Sequence, residues 1–535
     1  MSPSAIEFIP KNTNQENQTI KLSSKRVAIK YRTIDDYFEE AQKNAPRSCR
    51  FYYWVIFMSM GIANMGDATE ISCMNYVLSN PDFIAEILDN NVKKHGATLA
   101  SAIFVGMLIG GVVTGVIGDQ LFGRKRILLT GLLINSIAGL CSALAPSLKI
   151  ICFARFTSGI GIGAVLSSLI TLTTELSPSS QRGLYVSFVA SFWTAGSIFV
   201  ALLGYNILGR LELSWRIFLA CCAAPSFLAF VLVAIFVPES ARFLALHGDF
   251  ERAAHEANVV AVKGIGYRNG RLLTADELAF HFSLRGNVEG NQRLKDAPPV
   301  PSYITRRNLV MNSFTRIKSL YGHGLRRKTI PLHILWFTLS FGSGICTWIN
   351  TIFAQVNGIT DVYLGAFFFA SANIPGNFAA AIFLDKFGRR MCFVTSVFGS
   401  VIALVFFAHA VYQEESNPAR VVGFACLFHC FLVGCWCSLS CMTGEMLPTK
   451  VRGTGMGMCS ASGRIAAILA QFINGALMDK PAFLIMIAAA MMAIGGLTPY
   501  AFQMEELSMQ HLEDDVPEEE ERKKLDITVV SKELV

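Results

Sequence analysis

Asp385-Lys386-Phe387-Gly388-Arg389-Arg390 is a short charged turn set between two long apolar runs, and the chain carries it twice. The other copy reads Gly118-Asp119-Gln120-Leu121-Phe122-Gly123-Arg124-Lys125. Two apolar runs beyond each turn comes a second punctuation: Glu175 followed by Arg182-Gly183, and Glu445 followed by Arg452-Gly453. The glutamate-to-arginine gap is seven residues in both places, while the glutamates lie 270 residues apart and the aspartates 266. Matching punctuation at so long an offset implies a duplicated bundle. Glycine lets such a turn reverse sharply. Aspartate can pair with the arginines or face the positive end of a neighbouring helix. Pairs of this kind sit where two halves meet and can break when the halves rock apart. Asp119, Gly123, Arg124, Glu175 and Arg182, and in the second half Asp385, Gly388, Arg389, Glu445 and Arg452, are therefore expected to form gating latches. A purely topological role for the basic residues would explain one copy, but not two with matching partners. The first copy takes four steps from Asp119 to Gly123 where the second takes three, which leaves the geometry of the first latch open.

Outward from the turns the chain is apolar. Of 535 residues, 52% are hydrophobic and 16% charged, with 40 phenylalanines and 43 glycines. Soluble domains sit near a quarter charged, and glycine is commoner in membrane helices. A helix crosses the hydrocarbon in about 20 residues. Twelve such runs are expected, at about 52–77, 97–118, 127–146, 149–174, 183–208 and 214–237, then 330–354, 362–384, 391–411, 420–444, 453–478 and 481–503. The fold class is thus an all-α membrane protein of two pseudo-symmetric six-helix bundles. The expected divisions are an N-terminal segment 1–50, a bundle 51–237, a central loop 238–329, a second bundle 330–504 and an acidic tail 505–535. Lysine and arginine follow spans 2, 4, 8 and 10, so those loops, the central loop and both termini are expected on the cytoplasmic side. Lys93 and Lys94 are exceptions on the other side. A surface helix is expected at Phe250 to Val262, with a loose Gly- and Pro-rich stretch from Arg268 to Pro301. The net charge of +7 lies in the loops, not in a stripe, which argues against a nucleic-acid partner. The 14 cysteines show neither zinc spacing nor a secreted framework. The five in span 10 (Cys426, Cys430, Cys435, Cys437, Cys441) read as reduced packing residues. No cofactor is expected, and the absence of a phosphate-binding loop argues against an ATP-hydrolysing enzyme.

A charge at mid-membrane costs about 2.5–3.5 kcal/mol on insertion scales, which makes intramembrane ionisable residues candidates for function. Span 1 carries Asp67 and Glu70, three residues apart on one helix face, with Asn64 a turn earlier. Span 4 carries Arg155, and counting from the outer ends of the two spans puts it at about the depth of Glu70. A pair between them, direct or through water, is expected. Protonation would release Arg155 and so couple ion movement to conformation; a permanent structural salt bridge is the competing reading. In the second half Arg464 lies near mid-membrane in span 11 and needs a partner, an anionic substrate group or water. His429, His333, Asn350 and Asn373 are further polar candidates that read first as packing residues. Trp193 and Trp436 occupy equivalent places in the two halves, with Trp348 deep in span 7, and suit either cation binding or core packing.

These residues resemble the signature of the major facilitator superfamily over about residues 50 to 505. Asp385 to Arg390 is similar to the family's D-x-x-G-R-[KR] loop, and Pro238-Glu239-Ser240-Ala241-Arg242 to its P-E-S-x-R element. Asp67-Ala68-Thr69-Glu70, Ser191-Phe192-Trp193-Thr194, Glu445 to Gly453 and Ser462-Gly463-Arg464 resemble the synaptic-vesicle-protein branch. That branch includes synaptic vesicle glycoprotein 2 and its SVOP-type relatives. The resemblance implies ligand-binding roles for Trp193 and Trp436. The loop between spans 7 and 8 has no room for the large luminal domain of glycoprotein 2, which favours an SVOP-like form. Sugar porters carry a glutamine-rich motif early in span 7, where this chain has Thr338-Leu339-Ser340-Phe341-Gly342.

The expected function is alternating-access secondary transport of a small organic ion, with or without protons. Asp67, Glu70, Arg155, Trp193, Trp436 and Arg464 would form the site, working as a monomer in the lipid bilayer. The branch implies a vesicle or plasma membrane. It also supplies the alternative, a binding or regulatory protein of vesicle membranes that keeps the transporter fold without flux. An acidic cavity points to cations; Arg155 and Arg464 leave anions open.

Overall fold

The computed structural model describes residues 33–44, 51–114, 123–266, 271–279, 317–322, 325–359, 361–413, 417–447 and 451–504, without the side chains of Ser179, Asp385, Arg452 and Gly453. Asp119, the acidic tail and most of the 268–301 stretch lie outside the described residues, as do the side chains of Asp385 and Arg452. Among the described residues, eleven helices are long and apolar enough to cross a membrane. Span 1, Phe51–Val77, is as long as these but diluted by Asn64, Asp67 and Glu70. With it the twelve expected spans are complete.

Lipid offers the backbone no hydrogen bonds, so each span must satisfy its own as a helix. Apolar side chains that would be a liability in water cover the outside: Phe153, Ile235 and Phe378 are all more than 60% exposed. Between helices the chain relies on small residues. A Cβ on Gly106 of span 2 would lie 2.0 Å from the Phe156 carbonyl oxygen, and one on Gly159 of span 4 would lie 2.1 Å from that of Ile103. Spans 2 and 4 thus touch backbone to backbone.

The spans are Ala97–Val113, Arg124–Ala143, Leu148–Leu176, Arg182–Leu203 and Trp215–Phe236 after span 1. The second half has Arg326–Ser343 with Ile349–Ala354, Val362–Ser371 with Asn373–Phe387, Arg389–Tyr412, Pro418–Met446, Arg452–Ala476 and Pro481–Ala501. Span 7 is broken: the 3-10 segment Gly344–Trp348 separates its two α-helical parts.

One end of the molecule carries Arg124, Arg182 and Arg389 and is called here the basic face. The N-terminal segment, expected only as a polar stretch, forms an amphipathic helix, Ile34–Asn44, with Ile34, Tyr37, Phe38 and Ala41 buried. The expected loop helix is Phe250–Val259, continued by a π-helical turn, Val260–Ile265. Both join the core of the first half on the basic face. Asp35 pairs with Arg182 and Arg242, and Tyr37 donates to Asn258 Oδ1 at 2.6 Å.

The two halves meet toward the other face. Asn350 donates its backbone N–H to Asn75 Oδ1 at 3.0 Å, Tyr76 stacks near Tyr363, and Lys93 pairs with Asp479. At mid-membrane Asn377 Nδ2 donates to Thr194 Oγ1 at 2.6 Å, and Ala467 packs with Ile103 and Met107. The described contacts between the halves thus run from the opposite face down to mid-membrane.

Candidate functional site

Glu70 and Arg155 are brought together. Arg155 Nη1 donates to Glu70 Oε2 at 2.6 Å and also reaches the Glu70 carbonyl oxygen at 3.3 Å and Cys73 Sγ at 3.4 Å. Both side chains are fully buried. The pair points into the first bundle, not into the seam between bundles. Gly139 of span 3 permits this, because a Cβ there would stand 2.3 Å from Glu70 Oε1.

Asp67, one turn below, is equally buried. Asn135 of span 3 donates to it at 3.4 Å and to Ser226 Oγ of span 6 at 3.0 Å, while Ser158 of span 4 donates to Asn135 Oδ1 at 2.6 Å. Four spans therefore converge on one polar cluster. Asn135, Ser158 and Ser226 were not singled out from sequence, since lone polar residues in apolar helices give no periodic signal. Among the described residues Asp67 Oδ2, Glu70 Oε1, Arg155 Nε and Arg155 Nη2 have no hydrogen-bond partner. The cluster holds two carboxylates and one arginine, an arrangement that can lose or gain a proton at modest rearrangement.

Arg464 of span 11 is half-buried and lies across the seam from Asp67, close enough for the two charges to attract. Among the described residues it makes no ion pair. Trp193 and Trp436 are both half-buried. Trp436 packs edge-on to Trp336 with centroids 5.6 Å apart, and Trp336 Nε1 donates to Thr443 Oγ1 at 2.9 Å. Trp348 is fully buried and donates to Gln471 Oε1 at 2.7 Å. His429 stacks on Phe369 with centroids 4.0 Å apart and bonds that residue's carbonyl, as a packing residue would. His333 bonds Tyr321, and Asn373 is buried.

The two punctuation marks come together in both halves. Arg124 Nε lies 3.7 Å from Glu175 Oε2, and Arg389 Nε lies 3.1 Å from Glu445 Oε1. Gly123 and Gly388 have φ of 86° and 81°, a conformation that glycine adopts without penalty. The extra step in the first copy therefore leaves the pairing intact. Both pairs lie within a half. Arg182 donates to the Thr174 carbonyl at 3.2 Å and to Asp35 at 3.1 Å. Glu239 accepts from the Lys125 and Ser240 backbone, each at 3.0 Å, which ties the Pro238–Arg242 element to the first turn.

The profile of the Major Facilitator Superfamily matches residues 56–471. The chain belongs to the major facilitator superfamily. Superfamily transporters handle small solutes in a membrane and are not enzymes, and this chain is a multi-pass member of them. It is 26% identical over 432 residues to the niacin transporter NiaP of Acinetobacter baylyi, covering 79% of this chain and 87% of that protein. It is 26% identical over 442 residues to the putative transporter svop-1 of Caenorhabditis elegans, covering 78% and 76%. That similarity agrees with the SVOP-like branch that its motifs resemble. Among solved structures, a partially occluded inward-open form of the xylose transporter XylE from E. coli superposes with a TM-score of 0.67. That match has 16% identity and covers 86% of this chain and 100% of XylE, a likeness of fold.

Proposed function

We propose that this protein is a proton-coupled secondary transporter of a small organic anion, working by alternating access. The partition of charge carries the reading. Both carboxylates are enclosed within the first bundle, Glu70 against Arg155 and Asp67 against Asn135. Arg464 is left half-buried at mid-membrane on the other side of the seam. A substrate cation would have to displace Arg155 to reach Glu70, whereas a carboxylate can approach Arg464 directly. Trp336 packs against Gly463 and edge-on to Trp436, so aromatic surface lies beside Arg464, which suits an aryl anion. The similarity to a niacin transporter supports the same class, since niacin is a small aromatic carboxylic acid.

Glu70 is the proton carrier in this reading. A proton on Glu70 removes the countercharge of Arg155, and the freed guanidinium turns to Asp67, whose attraction to Arg464 then weakens across the seam. The Arg124–Glu175 and Arg389–Glu445 pairs brace the ends of the two bundles as they rock. By the excess of lysine and arginine, the basic face is cytoplasmic and the conformer described is inward-facing. A vesicle or plasma membrane and a monomeric unit fit this reading.

Uptake of radiolabelled nicotinate into proteoliposomes, with and without an inward proton gradient, tests it. Gradient-driven uptake that is lost in Glu70→Gln, with exchange at equal pH retained, is expected; Arg464→Gln should lose both. No flux of nicotinate or of other aryl carboxylates, together with saturable binding, would favour a non-transporting binding protein.

A further inference from the structure

The second half holds a set of buried amides that carry no charge. Trp348 Nε1 donates to Gln471 Oε1, which fixes the orientation of that amide and leaves its Nε2 as a free donor. Among the described residues Gln471 Nε2, Asn474 Nδ2 and both amide atoms of Asn350 have no partner. All three residues are more than nine-tenths buried: Asn350 and Gln471 at 0% exposure and Asn474 at 4%. The Gln471 and Asn474 nitrogens converge, lying 3.6 and 3.7 Å from the point where a Cβ on Gly344 would stand.

An independent feature coincides with them. Gly344–Trp348 is the 3-10 break in span 7, and Asn350 is the second residue of the helical part beyond it. Broken spans in transporters mark places where the chain gives up regular hydrogen bonding to meet a ligand. A fully buried amide with unmet donors is destabilising, so several together call for an occupant or for hydration. Gln471 sits seven residues above Arg464, two turns along the same face of span 11, or about 10 Å. Above Asn350, Thr351 lines a cleft of about 480 Å³ with Lys93 and Asp479, so the cluster lies just beneath the opposite face.

We infer that Asn350, Gln471 and Asn474 form a second subsite that takes a neutral carboxamide-type group at the far end of the transported anion. The Gln471 and Asn474 amides donate to its carbonyl oxygen, and Asn350 Oδ1 accepts from its N–H. The substrate is then a two-ended molecule, carboxylate at Arg464 and amide near the break in span 7. This deepens the organic-anion reading and rests on it for the charged end only.

Binding to purified full-length protein tests the subsite with two matched pairs: benzoate with 4-carbamoylbenzoate, and biphenyl-4-carboxylate with 4′-carbamoylbiphenyl-4-carboxylate. In at least one pair the amide-bearing member should bind tenfold or more tightly than its parent. Asn474→Leu and Gln471→Leu should erase that gain and leave the parent unchanged. Arg464→Gln should weaken all four. A gain that is absent in the wild type, or that survives both leucine variants, overturns the subsite while the anion reading stands. If none of the four binds, the aryl-anion reading fails, and ligand-free melting decides the subsite. Unmet amides kept for a ligand predict that Asn350→Leu and Asn474→Leu melt at or above the wild-type temperature. Amides that serve the fold, through ordered water or otherwise, would make both variants melt lower and overturn the inference.

Discussion

Glu70 and Arg155 meet at 2.6 Å with neither side chain exposed, and among the described residues neither makes another ion pair. Removing one partner of such a pair strands a buried charge and costs about 3–5 kcal/mol, whereas replacing both with apolar groups is near neutral. Glu70→Leu should therefore melt well below the wild type in detergent, and Glu70→Leu with Arg155→Met should recover most of the loss. A double variant as unstable as the single would show that the surroundings, and not the pair, set the cost.

Gly139→Ala should act on the same carboxylate from span 3. Its Cβ would stand 2.3 Å from Glu70 Oε1 and 2.9 Å from Ala223 Cβ, a crowding worth about 1–3 kcal/mol. Proton-driven uptake by Gly139→Ala should fall several-fold, while Gly183→Ala, which meets nothing within 4 Å, serves as the control.

The Lys93–Asp479 pair closes the cleft at the opposite face, with side chains 53% and 67% exposed. Exposed pairs contribute about 1 kcal/mol or less, so breaking this one shifts a conformational balance by roughly fivefold at most. In Asp479→Lys, a cysteine placed at Thr351 should be alkylated a few times faster than in the parent, and Lys93→Glu added to it should restore the slow rate. An unchanged rate would mean that the Asn75–Asn350 and Tyr76–Tyr363 contacts alone hold that side shut.

Glu86, outside the spans, gives a prediction in pH. The hydrogen bond from Arg216, opposed in part by desolvation and aided by Trp215 Nε1 at 3.0 Å, holds its carboxyl below the ordinary value of 4.5. A depressed folded-state pKa stabilises fully above the unfolded value and is lost as pH falls through the folded one. The melting difference between wild type and Glu86→Gln should thus be constant above about pH 5 and shrink on acidification below the ordinary carboxylate value. A difference that grows on acidification would contradict the pairing.

The twelve spans were legible because lipid forces an apolar run and a self-satisfied backbone together, and the duplicated turns placed them in two halves. The Glu70–Arg155 contact was legible from depth alone, since helical rise converts residue count into height. The structure adds a partner for each latch glutamate that the sequence did not name: Arg124 for Glu175 and Arg389 for Glu445, each from the charged turn that precedes it. Asn135, Ser226, Gln471 and Asn474 were missed for one reason: a single amide or hydroxyl in an apolar helix looks the same whether it is spare or central, and only the convergence of several spans separates the cases. The helix at Ile34–Asn44 carried a readable apolar face, hidden by the polar composition around it.

That helix has a mechanical consequence. Through Asp35 on Arg182 and Arg242, and Tyr37 on Asn258, it clamps the first stretch of the central loop to the first bundle. The first bundle is thereby the heavier and stiffer of the two bodies, a stator with a broad plinth on one side. The second bundle has no matching plinth among the described residues, and under the proposed alternating access it is the body that would swing. Asn258 carries the clamp further along the loop, accepting from the Leu273 N–H at 3.1 Å and donating to the Leu273 carbonyl at 2.9 Å, so an insertion between Gly264 and Leu273 should loosen the stator itself.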